Sequence, residues 1–112
     1  MSDNEKKDIH WMGSSLSDLK SFPDDAKREA GHQLNRVQSG LDPDRYKPFD
    51  IVGAGTKEII LSENGDAFRV MYVAKFPEGV FVLHSFQKKT QKTSKTDKEL
   101  AAQRYKEVIK WR

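Results

Sequence analysis

Apolar residues recur at helical spacing through the first third of the chain and at strand-like density from residue 57 to 87, which predicts helices first and a sheet afterwards. Leu16, Leu19 and Phe22 lie three residues apart and put one apolar stripe on a short helix, entered through the turn residues Gly13, Ser14 and Ser15 and stopped before Pro23. Pro23 suits the first turn of a second helix, where its missing N–H costs nothing, and Asp24 and Asp25 stand where the helix dipole favours anions. Ala26, Ala30, Leu34 and Val37 continue that helix at steps of four and three, and Gly40 is placed to end it. A helical hairpin over about 15–39 follows. Ahead of it, residues 1–8 are polar and expected to be frayed, and Ile9 to Trp11 read as a short first strand.

Leu41 to Gly55, with Pro43, Pro48 and two glycines, has neither period and is expected to be a surface loop. Lys57 to Leu61, Ala67 to Lys75 and Val80 to Gln87 are each about strand length and rich in Ile, Val, Phe, Tyr and Leu. The Asn64-Gly65 turn and the Phe76-Pro77-Glu78-Gly79 turn join them into an antiparallel meander. Thr96-Asp97-Lys98-Glu99 has capping-box spacing, and Leu100, Tyr105, Val108 and Ile109 give a C-terminal amphipathic helix. The order β-α-α-β-β-β-α predicts one α+β domain over 9–112: a helical hairpin on one face of a small twisted antiparallel sheet, plus the C-terminal helix.

With 112 residues, the chain has room for one core and not two. A net charge of +3 conceals an asymmetry, because residues 1–56 hold 8 Lys/Arg against 10 Asp/Glu and residues 57–112 hold 12 against 7. The basic half favours a polyanionic partner, since neutralising phosphates releases counterions. The absence of cysteine excludes disulfides and thiol catalysis. No apolar run approaches the ~20 residues of a membrane span, and MSDNEKKDIHW carries no signal-peptide core, so a cytoplasmic protein without membrane association is expected.

Between His84 and Thr96 there is no acidic residue, while Lys88, Lys89, Lys92 and Lys95 alternate with Gln87, Thr90, Gln91, Thr93 and Ser94. Such a segment is either a solvated connection or a phosphate-gripping loop in which lysines supply charge and hydroxyls orient oxygens. Arg69 sits mid-strand, opposite in face to Phe68, Val70 and Tyr72 if alternation is regular. It therefore needs a partner: an ion pair such as Glu58 on the neighbouring strand, or a phosphate held bidentately. His10, His32 and His84 are too scattered for a metal motif, and neither a metal nor a cofactor is expected. His84 reads as a packing residue or as a group titrating beside the lysines. Trp11 and Trp111 read as core-edge packing.

Phe86-Gln87-Lys88-Lys89-Thr90-Gln91-Lys92-Thr93, together with Phe68-Arg69-Val70-Met71-Tyr72-Val73, Gly13-Ser14-Ser15, Asp18-Leu19 and Phe22-Pro23, resembles the phage-related branch of the RelE/HigB-like toxins. The likeness runs from Trp11 to about Arg104. It implies the toxin of a type II toxin-antitoxin system, an endoribonuclease (mRNA interferase) that cleaves messenger RNA on the ribosome or free of it and so inhibits translation. It also implies a helix-turn-helix, HigA-like antitoxin, with operator DNA reached only through that partner. The positions that match are Arg69 for the strand arginine and Lys88, Lys89 and Lys92 for the basic loop. The C-terminal tyrosine arrangement of some RelE-like enzymes is missing, unless Tyr105 stands in for it.

A metal-independent mechanism on these residues has the 2′-hydroxyl attack the adjacent phosphate, with Arg69 holding that phosphate and Lys88 or Lys89 adding charge or accepting the proton. Lys57, His84, Thr90, Thr93 and Lys95, with Lys92, are the expected RNA contacts. Two other readings stay open: a non-catalytic ParE-like gyrase poison, and a non-toxic basic nucleic-acid-binding phage protein.

Overall fold

The computed structural model describes residues 6–112. Its elements are β1 (Ile9–Trp11), α1 (Ser15–Lys20), α2 (Asp24–Gln38), β2 (Tyr46–Pro48), β3 (Thr56–Glu63), β4 (Asp66–Val73), β5 (Val80–Lys88) and α3 (Lys95–Trp111). The expected frayed segment falls largely on residues outside those described. Within it, Lys7 donates its backbone N–H to the Gln38 carbonyl and its Nζ to the Ala74 carbonyl.

The five strands form one sheet in the order β1-β5-β4-β3-β2. The meander β3-β4-β5 is antiparallel as expected, and Asn64 (φ 52°) and Gly65 (φ 83°) make the tight turn that the Asn-Gly pair predicts. Two strands extend it. β1 pairs with β5 in parallel, and β2 lies inside the segment expected to be loop, antiparallel to β3.

The helices lie on both faces of the sheet. Leu19, Phe22, Ala26, Ala30, Leu34 and Val37 of the hairpin pack on Ile59, Leu61, Phe68, Val70, Tyr72, Val80 and Val82. Ala101 and Val108 of α3 pack on the reverse side, against Met71, Val73, Phe81, Leu83 and Phe86. Both faces of β4 and β5 therefore carry large apolar side chains, which is why their sequences read as continuous hydrophobic runs. Helix ends are fastened by side chains: Glu63 Oε1 accepts the Ala26 N–H at 2.8 Å near the start of α2. Ser94, two residues before the expected Thr96, caps α3 by accepting the Asp97 N–H at 3.1 Å.

The pairing of β4 with β5 is interrupted once. Met71 pairs with His84 and Tyr72 with Val82, leaving Leu83 as an extra residue in β5. Arg104, only 8% exposed, reaches from α3 and donates from one terminal guanidinium nitrogen to the Leu83 carbonyl at 3.0 Å and from the other to Ser14 Oγ at 3.1 Å. Gly13 makes room for it: its φ is +53°, and a Cβ there would come within 2.5 Å of Arg104 Nε.

Arg104→Met keeps the stem of the side chain and removes both donors, leaving the Leu83 carbonyl unpaired. A loss of about 2 kcal/mol in urea unfolding is expected, as for hydrogen bonds from a charged donor; a change below about 0.5 kcal/mol would show that the bulge does not depend on Arg104.

Candidate functional site

Residues in register across neighbouring strands share a face, so the pairing lays out the α3 side of the sheet as rows. Arg45, whose carbonyl accepts the Ile60 N–H at 2.9 Å, begins a row that continues through Ile60, Arg69 and Phe86. Lys47, Glu58, Met71 and His84 form the next row, and Ser62, Ala67 and Lys88 the one on the other side. Arg69 faces away from Phe68, Val70 and Tyr72, as alternation predicts. Lys88 joins it only because of the extra residue in β5. Counting by twos from Val80 and Val82, which face the hairpin, would have put His84, Phe86 and Lys88 on the hairpin side.

Glu58 lies at the centre of this face with no exposed surface. Its Oε1 is 3.6 Å from Lys47 Nζ and 3.8 Å from Arg69 Nε, and its Oε2 accepts a 3.0 Å hydrogen bond from Thr93 Oγ1. A buried carboxylate is costly unless paired, and here two cations and a hydroxyl share it. Arg69, with its side chain 12% exposed, donates through a terminal nitrogen to the Phe68 and Leu61 carbonyls at 2.9 and 3.2 Å. Both contacts of Arg69 Nε and Glu58 Oε1 exceed hydrogen-bond length, so the two atoms are buried without a hydrogen-bond partner. Burial pulls the Arg69 pKa down, the Glu58 charge offsets part of that pull, and nearby Arg45 adds to it. Lys88 is likewise held below the ordinary lysine value, first by desolvation, then by repulsion from Arg69 and Lys47, with Glu58 acting the other way.

Of the residues singled out in the sequence, Arg69 and Lys88 thus come together. Lys89 and Lys92 are exposed on the loop that follows Lys88, where Thr90 Oγ1 donates to the Lys92 carbonyl. Lys95 begins α3, its ammonium 3.9 Å from Glu99. Of the other expected RNA contacts, one lies on the opposite face and two are buried at this one with internal partners. Lys57 is on the hairpin face, 2.8 Å from Asp42 and over the Tyr46 ring, because it pairs with Tyr72 in the register. Thr93 is buried and pegs the lysine loop to Glu58. His84 is buried against Phe86, its Nε2 2.7 Å from Asp97 Oδ1, and so holds the first turn of α3. Tyr105 is committed as well, its hydroxyl donating to the Ala54 carbonyl.

Arg45 and Lys47 join the site through the fold, and Glu58, expected only as a partner for Arg69, lies at its centre. The basic-aromatic-basic alternation of Arg45-Tyr46-Lys47 was the available signal: the two cations face the α3 side, while Tyr46, paired with Ile59, faces the hairpin.

Thr93→Val removes the peg and leaves a buried carboxylate oxygen without its donor. A loss of about 2 kcal/mol is expected, with faster amide exchange over 89–94; equal stability and unchanged exchange would show that the loop is held in some other way.

No significant match was found among curated proteins or among solved structures. Residues 17–106 match the protein family described as phage derived protein Gp49-like (DUF891), a span that takes in both the sheet face and the lysine loop. This agrees with the phage-derived part of the resemblance noted in the sequence, and it shows that the chain belongs to the Gp49-like family of phage-derived proteins.

Proposed function

We propose that the chain is the toxin of a type II toxin-antitoxin pair and cleaves messenger RNA by attack of a 2′-hydroxyl on the adjacent phosphodiester. The observation that carries this reading is the shared sheet face of Arg69 and Lys88, set around buried Glu58 and continued by the lysine loop. Family membership and the likeness to RelE/HigB-like toxins support it from a separate direction.

In the proposed reaction the guanidinium of Arg69 binds the non-bridging oxygens of the scissile phosphate and offsets the charge that builds on the phosphorane. Glu58 acts as a positioning residue: it fixes Arg69 and Lys47 from below and, through Thr93, holds the loop over them. Lys88, with its pKa depressed, supplies a neutral amine more readily than a free lysine and accepts the 2′-hydroxyl proton. The O2′–P bond forms, the P–O5′ bond breaks, and the leaving 5′ oxygen takes a proton from the Lys89 ammonium, giving a cyclic phosphate and a 5′-hydroxyl. Lys92 and Lys95 add charge along the path of the RNA. Positioning by the ribosome would supply the alignment that so small a site lacks. The inhibitory partner on this reading is a helix-turn-helix, HigA-like antitoxin, and operator DNA is engaged only through it.

Expression without an antitoxin tests the proposal. Wild type should arrest growth with cleaved transcripts, and Arg69→Ala should lose ~10² or more of the cleavage rate, the scale for removing one group that stabilises an oxyanion. Intact transcripts accompanied by DNA damage would replace this reading with gyrase poisoning. Harmless expression with salt-dependent binding to any nucleic acid would replace it with a non-toxic binding protein. The pH profile of cleavage provides a second test. Because a lowered lysine pKa makes the neutral base available at lower pH, the rate should rise with pH through an inflection below the ordinary lysine value, and Lys88→Arg should abolish that limb. An unaltered limb in Lys88→Arg would remove Lys88 as the base.

A further inference from the structure

Asp42 and Asp44, which precede Arg45 and Lys47 in sequence and could neutralise them, are turned the other way. Asp42 lies 2.8 Å from Lys57, and Asp44 lies 3.5 Å from Arg36 and accepts a hydrogen bond from Gln33. Among the described residues Arg45 makes no ion pair, and Lys47, 48% exposed, shares Glu58 with Arg69. Two cations two residues apart, Arg45 just before β2 and Lys47 on it, are thus left facing the same side as Arg69 and Lys88. Between Arg45 and Arg69, on β3, lies Ile60, half buried and in the row that joins the two arginines.

We infer that Arg45 and Lys47 form a second phosphate subsite, so that single-stranded RNA crosses the sheet from β5 to β2, with the scissile phosphate at Arg69 and Lys88. This rests on the ribonuclease reading for the position of the scissile phosphate. Strands in a sheet lie about 5 Å apart, so β4 and β2 are separated by about 10 Å. Long arginine and lysine side chains reaching inward from either end leave a gap that one nucleotide bridges. The intervening base then lies over Ile60, an apolar floor that accepts any base through its face and selects none by hydrogen bonding. The phosphate contacts set the direction of the strand and Ile60 sets the spacing.

Binding of non-cleavable 2′-O-methyl RNA, followed by fluorescence anisotropy at several salt concentrations, tests the subsite. A pentanucleotide should bind wild type at least tenfold more tightly than a dinucleotide. The Arg45→Ala/Lys47→Ala variant should lose that gain, and its log–log salt slope for the pentamer should fall by about 0.7, the value for one phosphate neutralised on a single strand. Arg45→Ala alone, at an exposed position, should take about half of it. Arg69→Ala should weaken both oligonucleotides, and Lys57→Ala, on the reverse face, should match wild type. A double variant that keeps the pentamer gain and the slope would overturn the second subsite, as would Lys57→Ala losing as much as the double variant. Dinucleotide binding with no gain from length would overturn the subsite, and cleaved transcripts on expression would leave the ribonuclease reading in place. Failure of wild type to bind either oligonucleotide would overturn the subsite, and intact transcripts on expression would overturn the ribonuclease reading as well.

Discussion

One extra residue in β5 decides which side of the sheet the lysine-rich end of that strand faces. Up to Val82 the even-numbered residues of β5 pack on the helical hairpin; beyond Leu83 they face α3. Lys88 and the start of the loop are carried with them to the side of Arg69. A bulge needs a partner for the backbone group it displaces, and here that partner is a buried arginine from the last helix, seated over a glycine whose positive φ and missing side chain leave room for it. Gly13, Arg104 and Leu83 are thus widely separated in sequence and joined in a single constraint.

The electrostatics of the face follow from Glu58. Bringing Arg45, Lys47, Arg69 and Lys88 onto one small patch is repulsive, and that repulsion adds to the desolvation that chiefly lowers the pKa of Arg69 and Lys88. A single buried carboxylate offsets part of that repulsion and also anchors the loop through Thr93. With one negative charge below several positive ones, the patch keeps a surplus suited to an incoming phosphate, which would also give the buried Arg69 Nε the acceptor that it lacks. Pairing of Arg69 with Glu58 and use of Arg69 by a phosphate are alternatives in the sequence; the fold shows the pairing, and on the proposed reading the phosphate binds the guanidinium that this pair holds.

Much of the architecture was legible because it is local. The helical hairpin follows from apolar spacing and from Pro23 and Gly40, the meander from its turns, and the face of Arg69 from alternation along an unbroken stretch of β4. The rest depends on contacts between distant segments. β1 is three residues long and finds its parallel partner only through the fold, and β2 hides among prolines and glycines because an outer strand of three residues needs no apolar alternation. The placement of α3 on the reverse face could not be read from its own amphipathic pattern, which shows that one side is buried and not against what. Lys57 was assigned to the site by charge, but parity along β3 puts it on the hairpin face with Ile59 and Leu61. Thr93 is expected as an RNA contact and His84 as either a packing residue or an RNA contact; burial gives each an internal partner.

The central claim is that Arg69 and Lys88 act on the same phosphodiester. A double-mutant cycle on single-turnover RNA cleavage, with Arg69→Ala, Lys88→Ala and the combination, measures this most directly. Groups sharing one phosphate should be coupled by about 1 kcal/mol or more, with the double variant less impaired than the product of the single effects. Effects that add to within about 0.3 kcal/mol would mean that the two residues act at separate places, and the account of the sheet face as one site would be wrong.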